Sequence, residues 1–241
     1  ATLISAVSLC RIRGRAADAK PLLQYIRTRE EGTSLPSSVH APAVAAYLDM
    51  GLTDFAVAWL CSSVGPLIEH VPPAYVYTDV MQACIKQLRY GRGSSESQGA
   101  QGHGLEMEGE DEEERVWESV IVLMEDMGRR GILPEPAAYT SFLRACRYGN
   151  LWKQSVETVD IVMIEAGVEP GASHYRVVLQ TLRDSNQWQT SESLIENMKG
   201  RGVEVGQIDY DLAIAATSRV GAVDGADRLA SAMLQDGLEH T

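Results

Sequence analysis

Tyr139-Thr-Ser-Phe-Leu-Arg-Ala-Cys-Arg147 is followed 36 residues on by Tyr175-Arg-Val-Val-Leu-Gln-Thr-Leu-Arg183, and 35 residues later by Tyr210. Behind each Tyr stands a Met with a Gly four residues further: Met163 and Gly167, Met198 and Gly202, Met233 and Gly237, in steps of 35. One pattern is therefore written three times between Tyr139 and Leu238. A period of roughly 20–50 residues marks a solenoid, in which no unit can bury its apolar face without its neighbours.

Inside a unit the apolar residues fall at helical spacing. Tyr175, Val178, Leu179 and Leu182 form one stripe, and Leu194, Ile195 and Met198 a second, which predicts two helices. The turns between them fall at Tyr148–Gly149, Ser185–Asn186 and Val220–Gly221, where Gly supplies the left-handed backbone of a helix end. Gly131-Ile-Leu-Pro134 and Gly167-Val-Glu-Pro170 close the second helices, because Pro forbids their continuation.

These residues resemble the pentatricopeptide repeat: Tyr at the start, Gly at the first turn with a small residue five positions on (Gly221, Ala226), then Met-x-x-x-Gly-x-x-Pro. Met127, Gly131 and Pro134 give that last motif once more. The tetratricopeptide repeat has a similar length, but its Trp-x-x-Leu-Gly-x-x-Tyr helix is absent from the chain. The resemblance implies an all-α, right-handed α-solenoid of about six helical hairpins, each of ~35 residues. It also implies that first helices line a concave groove able to hold single-stranded RNA.

The rest of the chain falls into the same phase. Ala1–Arg13 reads as a first helix, Gly14 as its turn, and Leu22, Leu23 and Ile26 as a second helix ending near Glu31–Gly32. A second unit starts near His40, with Ala43, Val44, Tyr47 and Leu48 as its stripe, Gly51 as its turn and Phe55–Leu60 as its second helix. A third starts at Tyr77 rather than Tyr75, which puts Val80, Met81 and Cys84 on the stripe. From Tyr77 to Tyr139 is 62 residues, 27 more than a 35-residue unit, and the excess is the Gly/Ser-rich, then acidic, stretch 91–112. Such a composition cannot offset its ordering entropy, so a flexible insertion is expected, with Glu112–Glu114 opening the next helix. The expectation is one solenoid domain over residues 1–241.

The formal net charge is −12, and residues 91–115, with eight acids and two Arg, account for half of it. An acidic balance argues against a polyanionic partner, since nucleic-acid binding rests on Lys and Arg neutralising phosphates. No run approaches the ~18 apolar residues of a membrane span. A chain that begins at Ala1 without Met reads as processed or truncated.

Catalytic and metal-binding patterns are missing. Cys10, Cys61, Cys84 and Cys146 make no Cys-x-x-Cys, and Cys84 and Cys146 each lie seven residues after a repeat Tyr, in a core slot. The five His make no His-Glu-x-x-His; His40 stands in the Tyr slot and His174 beside one. Without a Gly-x-Ser-x-Gly elbow no Ser is marked as a nucleophile, and Gly91-Arg-Gly-Ser lacks the Lys of a phosphate loop. No enzyme activity, cofactor or metal is expected. Trp117 and Trp188 lie ten residues before the repeat Met and Trp152 eleven, a recurring slot that reads as packing, with base stacking as the alternative.

Charge separates the two helices of a unit. First helices bear Lys86, Arg89, Arg144, Arg147, Arg176 and Arg183 against Asp79 and Asp184, while second helices bear Glu118, Glu125, Glu157, Asp160, Glu165, Glu192 and Glu196. This basic stripe is either a set of phosphate contacts or a solvated face that complements neighbouring units. In the resembled family a polar residue after the Tyr reads a base together with an Asp or Asn closing the repeat. Here the first slot holds Thr78, Thr140, Arg176 and Asp211, and the second holds Glu135, Gly171, Gly206 and Thr241. Only Thr78 and Thr140 suit the first slot and no Asp or Asn stands in the second, so the one-base-per-repeat code is absent. The leading expectation is a non-catalytic scaffold or adaptor docking on a larger organellar assembly, such as a ribosome, photosynthetic or respiratory complex. The alternative is a single-stranded RNA-binding factor of organellar RNA processing or translation; chloroplast or mitochondrion follows from the resemblance alone.

Overall fold

The computed structural model describes residues 18, 20–23, 37–62, 71–95 and 106–238. The readings made for Ala1–Arg13, Gly14, Ile26, Glu31–Gly32 and Thr241 lie outside them. Among the described residues there is no strand, only helices: α1 (Ser37–Asp49), α2 (Thr53–Ser62), α3 (Ala74–Ser95), α4 (Glu106–Arg129) and α5 (Pro136–Tyr148). The helix α6 runs from Trp152–Glu157 through a π-helical stretch Thr158–Val162 to Met163–Glu165, and is followed by α7 (Ala172–Asp184), α8 (Trp188–Gly200), α9 (Gln207–Val220) and α10 (Val223–Gln235). α1 pairs with α2, α3 with α4, α7 with α8 and α9 with α10 as helical hairpins, as the two stripes per unit require. The chain forms two compact units, Ala1–Ser141 and Phe142–Thr241.

In the first unit α1 packs on α3 and α2 on α4, besides the pairing within each hairpin. Like stacks on like because each hairpin covers the apolar face its neighbour leaves open. His40 and Tyr77 occupy the same slot and are both fully buried, whereas Tyr75 is 48% exposed, which fixes Tyr77 as the start of its unit. Buried Asp126 on α4 joins three helices. It accepts from the Tyr77 hydroxyl at 2.9 Å and pairs with Arg130 Nε at 2.7 Å, while Arg130 donates to the Leu60 carbonyl of α2 at 3.0 Å. Burial, with that hydrogen bond second, raises the Tyr77 pKa.

The expected insertion is narrower at both ends. Residues 91–95 continue α3, and α4 begins at Glu106 rather than near Glu112. Glu is a good helix former and its charge suits a helix N-terminus, so the acidic run extends the helix it precedes. The stretch 96–105 lies outside the described residues.

In the second unit α7 packs on α9 and α8 on α10. Tyr175, Tyr210, Met163, Met198 and Met233 are all buried to within 1%. Why Gly follows Met by four is visible in the backbone: Gly167, Gly202 and Gly237 take φ of 74°, 71° and 77°. The next amide then turns back to the Met carbonyl: Val168 to Met163 at 2.8 Å, Val203 to Met198 at 2.9 Å, Leu238 to Met233 at 3.1 Å. That bond is the Schellman cap, which needs a left-handed residue. At the turn after α5 this residue is Asn150 (φ 55°) and not Gly149, and after α7 it is Asn186 (φ 57°). Asn tolerates the left-handed region better than other side chains.

The π-helical stretch explains a one-residue irregularity. Trp152 precedes Met163 by eleven residues and Trp188 precedes Met198 by ten. A π-turn absorbs the added residue inside the helix, so Trp152 and Met163 both keep their slots. Packing at Trp188 is equally local. A Cβ at Gly225 of α10 would stand 2.8 Å from Trp188 Cζ3 and 3.2 Å from Thr217 Cγ2, so the glycine admits the indole. Arg228 lies over the same ring at 5.9 Å and pairs with Glu192 at 2.6 Å.

Candidate nucleic-acid interface

First helices end in cations throughout the second unit. Arg147 closes α5, Arg183 closes α7 and Arg219 closes α9, in steps of 36 residues. Positive charge at a helix C-terminus is favourable in itself. The three guanidiniums converge on one carboxylate. Arg147 Nε meets Asp184 Oδ2 at 2.8 Å, Arg183 NH2 meets Oδ1 at 2.8 Å, and Arg219 NH1 lies 3.7 Å from Oδ1. Arg147 NH1 also donates to Gln180 Oε1 at 3.0 Å, and Arg219 NH1 to the Arg183 carbonyl at 3.3 Å. Burial alone would raise the Asp184 pKa, but the hydrogen bonds and charges of Arg147 and Arg183 outweigh it and hold the carboxyl below its ordinary range. Three guanidiniums against one carboxylate leave a surplus of positive charge on a partly exposed ladder.

Arg219 was not among the sequence candidates. Tyr210 precedes it by nine residues where the other Tyr–Arg spacings are eight, because α9 is one residue longer than α7. The 36-residue step from Arg183 was the signal available.

Arg176, nearer the start of α7, is held apart from this ladder. Its Nε and NH2 donate side-on to Asp209 Oδ1 and Oδ2 at 2.9 and 3.2 Å. Asp209 is fully buried and its Oδ2 also accepts the Gly206 amide at 3.0 Å, so the carboxylate is fixed. Those hydrogen bonds, then the Asp209 charge, raise the Arg176 pKa. In the second code slot Gly171 and Gly206 serve as helix N-caps; His174 Nδ1 accepts the Gly171 amide at 3.1 Å, which explains that buried histidine. Arg144 is exposed and has no ion pair among the described residues.

In the first unit Lys86 and Arg89 are exposed on α3. Thr78 is 4% exposed and its hydroxyl donates to the Ala74 carbonyl at 3.2 Å, while Thr140 donates to the Pro136 carbonyl at 3.1 Å. Both hydroxyls are thus turned onto their own helices.

Cys84 and Cys146 are core residues, and burial pushes each thiol up to about 12. Among the described residues no group of His, Cys, Asp and Glu could hold a metal ion. No described helix is long and apolar enough to cross a membrane.

Comparison with known proteins points one way. No family model matches the chain. It is 30% identical over 78 residues to a putative mitochondrial pentatricopeptide repeat-containing protein of Arabidopsis thaliana, covering 32% of this chain and 12% of the relative. A chloroplastic pentatricopeptide repeat-containing protein of the same plant is 23% identical over 116 residues, covering 48% and 20%. The chain thus spans a fifth or less of these relatives' length. In fold it is similar to nuclear proteinaceous RNase P 2 of A. thaliana, with a TM-score of 0.62 at 12% identity over 83% of this chain and 38% of that one. The pentatricopeptide domain of A. thaliana protein-only RNase P 1, solved in complex with tRNA, gives 0.51 at 10% identity over 98% and 90%. In repeat pattern, in these sequence relatives and in fold, the hairpins are similar to pentatricopeptide repeats, with degenerate motifs.

Proposed function

We propose that the chain is a non-catalytic, single-stranded RNA-binding repeat domain, formed over residues 1–241, of an organellar protein. The observation that carries this reading is the Arg147–Arg183–Arg219 ladder, one guanidinium per hairpin, with Asp184 as their one carboxylate partner among the described residues. A cation repeated once per unit suits a polymer whose phosphates also repeat. The neighbour solved with tRNA supports RNA as that polymer, and the mitochondrial and chloroplastic relatives support the organelle. With no complete base code, backbone contact supplies most of the affinity. The test is binding of a labelled single-stranded RNA at ~50 mM salt by the wild type and by the triple variant Arg147→Gln, Arg183→Gln, Arg219→Gln. The wild type binds and the triple variant does not; equal binding by both removes the ladder from the account.

A scaffold docking on an organellar protein assembly is the second reading, favoured by the net charge of −12. Stable co-purification with such an assembly, alongside failure to bind RNA at low salt, would select it.

A further inference from the structure

We propose that Ile161, Val162 and Ile164 of α6 form a docking site for a basic amphipathic helix of a partner protein, a function separate from the RNA reading. Solvent would favour polar residues at these positions. Counted from the repeat Met they stand two before, one before and one after, where α8 has Glu196, Asn197 and Lys199 and α4 has Glu125, Asp126 and Gly128. In α10 only the last of them, Leu234, is a large aliphatic. In α6 all three are β-branched aliphatics, and they are 49%, 42% and 44% exposed. At about 100° per residue Ile161 stands opposite buried Met163, with Ile164 and Val162 to either side of it, so the three share the outward arc of the helix. The patch coincides with the π-helical stretch Thr158–Val162, and such widened turns recur at functional sites. Contiguous apolar side chains kept in water mark an interaction surface.

Charge says what kind of surface covers it. Glu157 lies about one turn before Ile161, Glu165 about one turn after it, and Glu196 of α8 holds the slot equivalent to Ile161. All three are exposed, and none has an ion pair among the described residues. The cation that α8 brings to α6 is already engaged: Arg201 donates to Asn197 Oδ1 at 2.9 Å and lies 3.8 Å from Asp160 Oδ1. A helix with aliphatic residues at i, i+3, i+4 and i+7 and Lys or Arg beside them buries the Ile and Val side chains and pairs these carboxylates. Anionic lipid and RNA are repelled by the same charges. Ile161 is 11 residues past Asn150, about 16 Å along the helix, so the arginine ladder beside that turn stays open.

The probe is a fluorescein-labelled peptide of about 18 residues, long enough to hold a helix, made of Leu and Lys with Leu at that spacing. Its control has the same composition with the apolar face scrambled, and both are titrated with the full chain by anisotropy. The wild type binds the amphipathic peptide about tenfold more tightly than the scrambled one. Ile161→Gln with Ile164→Gln removes that difference while leaving the helical circular dichroism unchanged, since both side chains are exposed and Gln is a good helix former. Glu157→Gln with Glu165→Gln weakens binding of the amphipathic peptide and lowers its dependence on salt. Equal affinity for the two peptides, or none for either, overturns the docking site, as does an Ile161→Gln, Ile164→Gln protein that still prefers the amphipathic one. A concentration-dependent dimer in sedimentation velocity that the same two substitutions abolish also overturns it, by giving the patch to a second copy of the chain. Peptide binding needs no RNA, so failure of the RNA reading leaves this site standing.

Discussion

Adding a single methyl group at Gly225 tests whether the tryptophan slot is for packing. Two effects compete. Replacing Gly by Ala inside a helix gains at most ~1 kcal/mol, and less in the first turn where Gly225 lies. Against this, the new Cβ would meet Trp188 Cζ3 at 2.8 Å, Cε3 at 3.0 Å and Thr217 Cγ2 at 3.2 Å. Overpacking of that kind costs ~1–3 kcal/mol, so Gly225→Ala lowers stability by a net ~1 kcal/mol. The sign reverses once the indole is gone: in a Trp188→Leu background the same Gly225→Ala change is neutral or stabilising. Urea midpoints of the four proteins in this cycle measure the coupling directly. A Gly225→Ala protein as stable as the wild type, or a cycle without coupling, would refute the packing account and return Trp188 to the candidates for base stacking.

Other consequences follow from the caps, the ladder and the core thiols. Gly202→Ala places a side chain at φ 71° with open space around it, so its loss of ~1–2 kcal/mol is pure backbone strain; Gly149→Ala, one residue before the left-handed Asn150, escapes it, as urea midpoints will show. Asp184→Asn removes the charge that balances the ladder, and single-stranded RNA binds the variant several-fold more tightly, measured by anisotropy at fixed salt. The same substitution reports on pH. Because the native carboxyl titrates below its unfolded value near 4, its stabilisation is present above that value and lost as pH falls through the lowered native one. Solvent screening limits that contribution to about 1 kcal/mol or less, and the gap between wild-type and Asp184→Asn urea midpoints closes as pH drops from 7 toward 3. Finally, a thiol reagent at pH 8 leaves Cys84 and Cys146 unmodified in the native protein and labels both in urea, as peptide mass mapping would record.

Much of the fold was legible because its determinants are local. Tyr at a helix start, Met at a helix end and Gly four residues later each report a burial slot or a backbone angle. Those requirements recur wherever the hairpin does. The irregular Trp152–Met163 spacing was legible too, but its resolution as a π-turn was not, since a loop could have absorbed the residue equally well. The insertion was misjudged at its edges because composition averages over a window, whereas helix growth from α3 and α4 proceeds residue by residue. The site was less legible than the fold. Arg147 and Arg183 were visible as equivalent positions, but their shared partner Asp184 belongs to one repeat only and lies 37 residues from Arg147, so no periodicity announces it. Asp209, buried beneath Arg176, gives no sign in the sequence that it is anything but a surface acid.

The central claim is that the ladder holds RNA phosphates, and the slope of log Kd against log salt from about 50 to 200 mM tests it most directly. Each phosphate contact contributes ~0.7 to that slope for a single strand, so removing Arg147, Arg183 and Arg219 together should flatten it by about 2. A wild-type slope that the triple substitution leaves unchanged would mean that these guanidiniums serve only the fold.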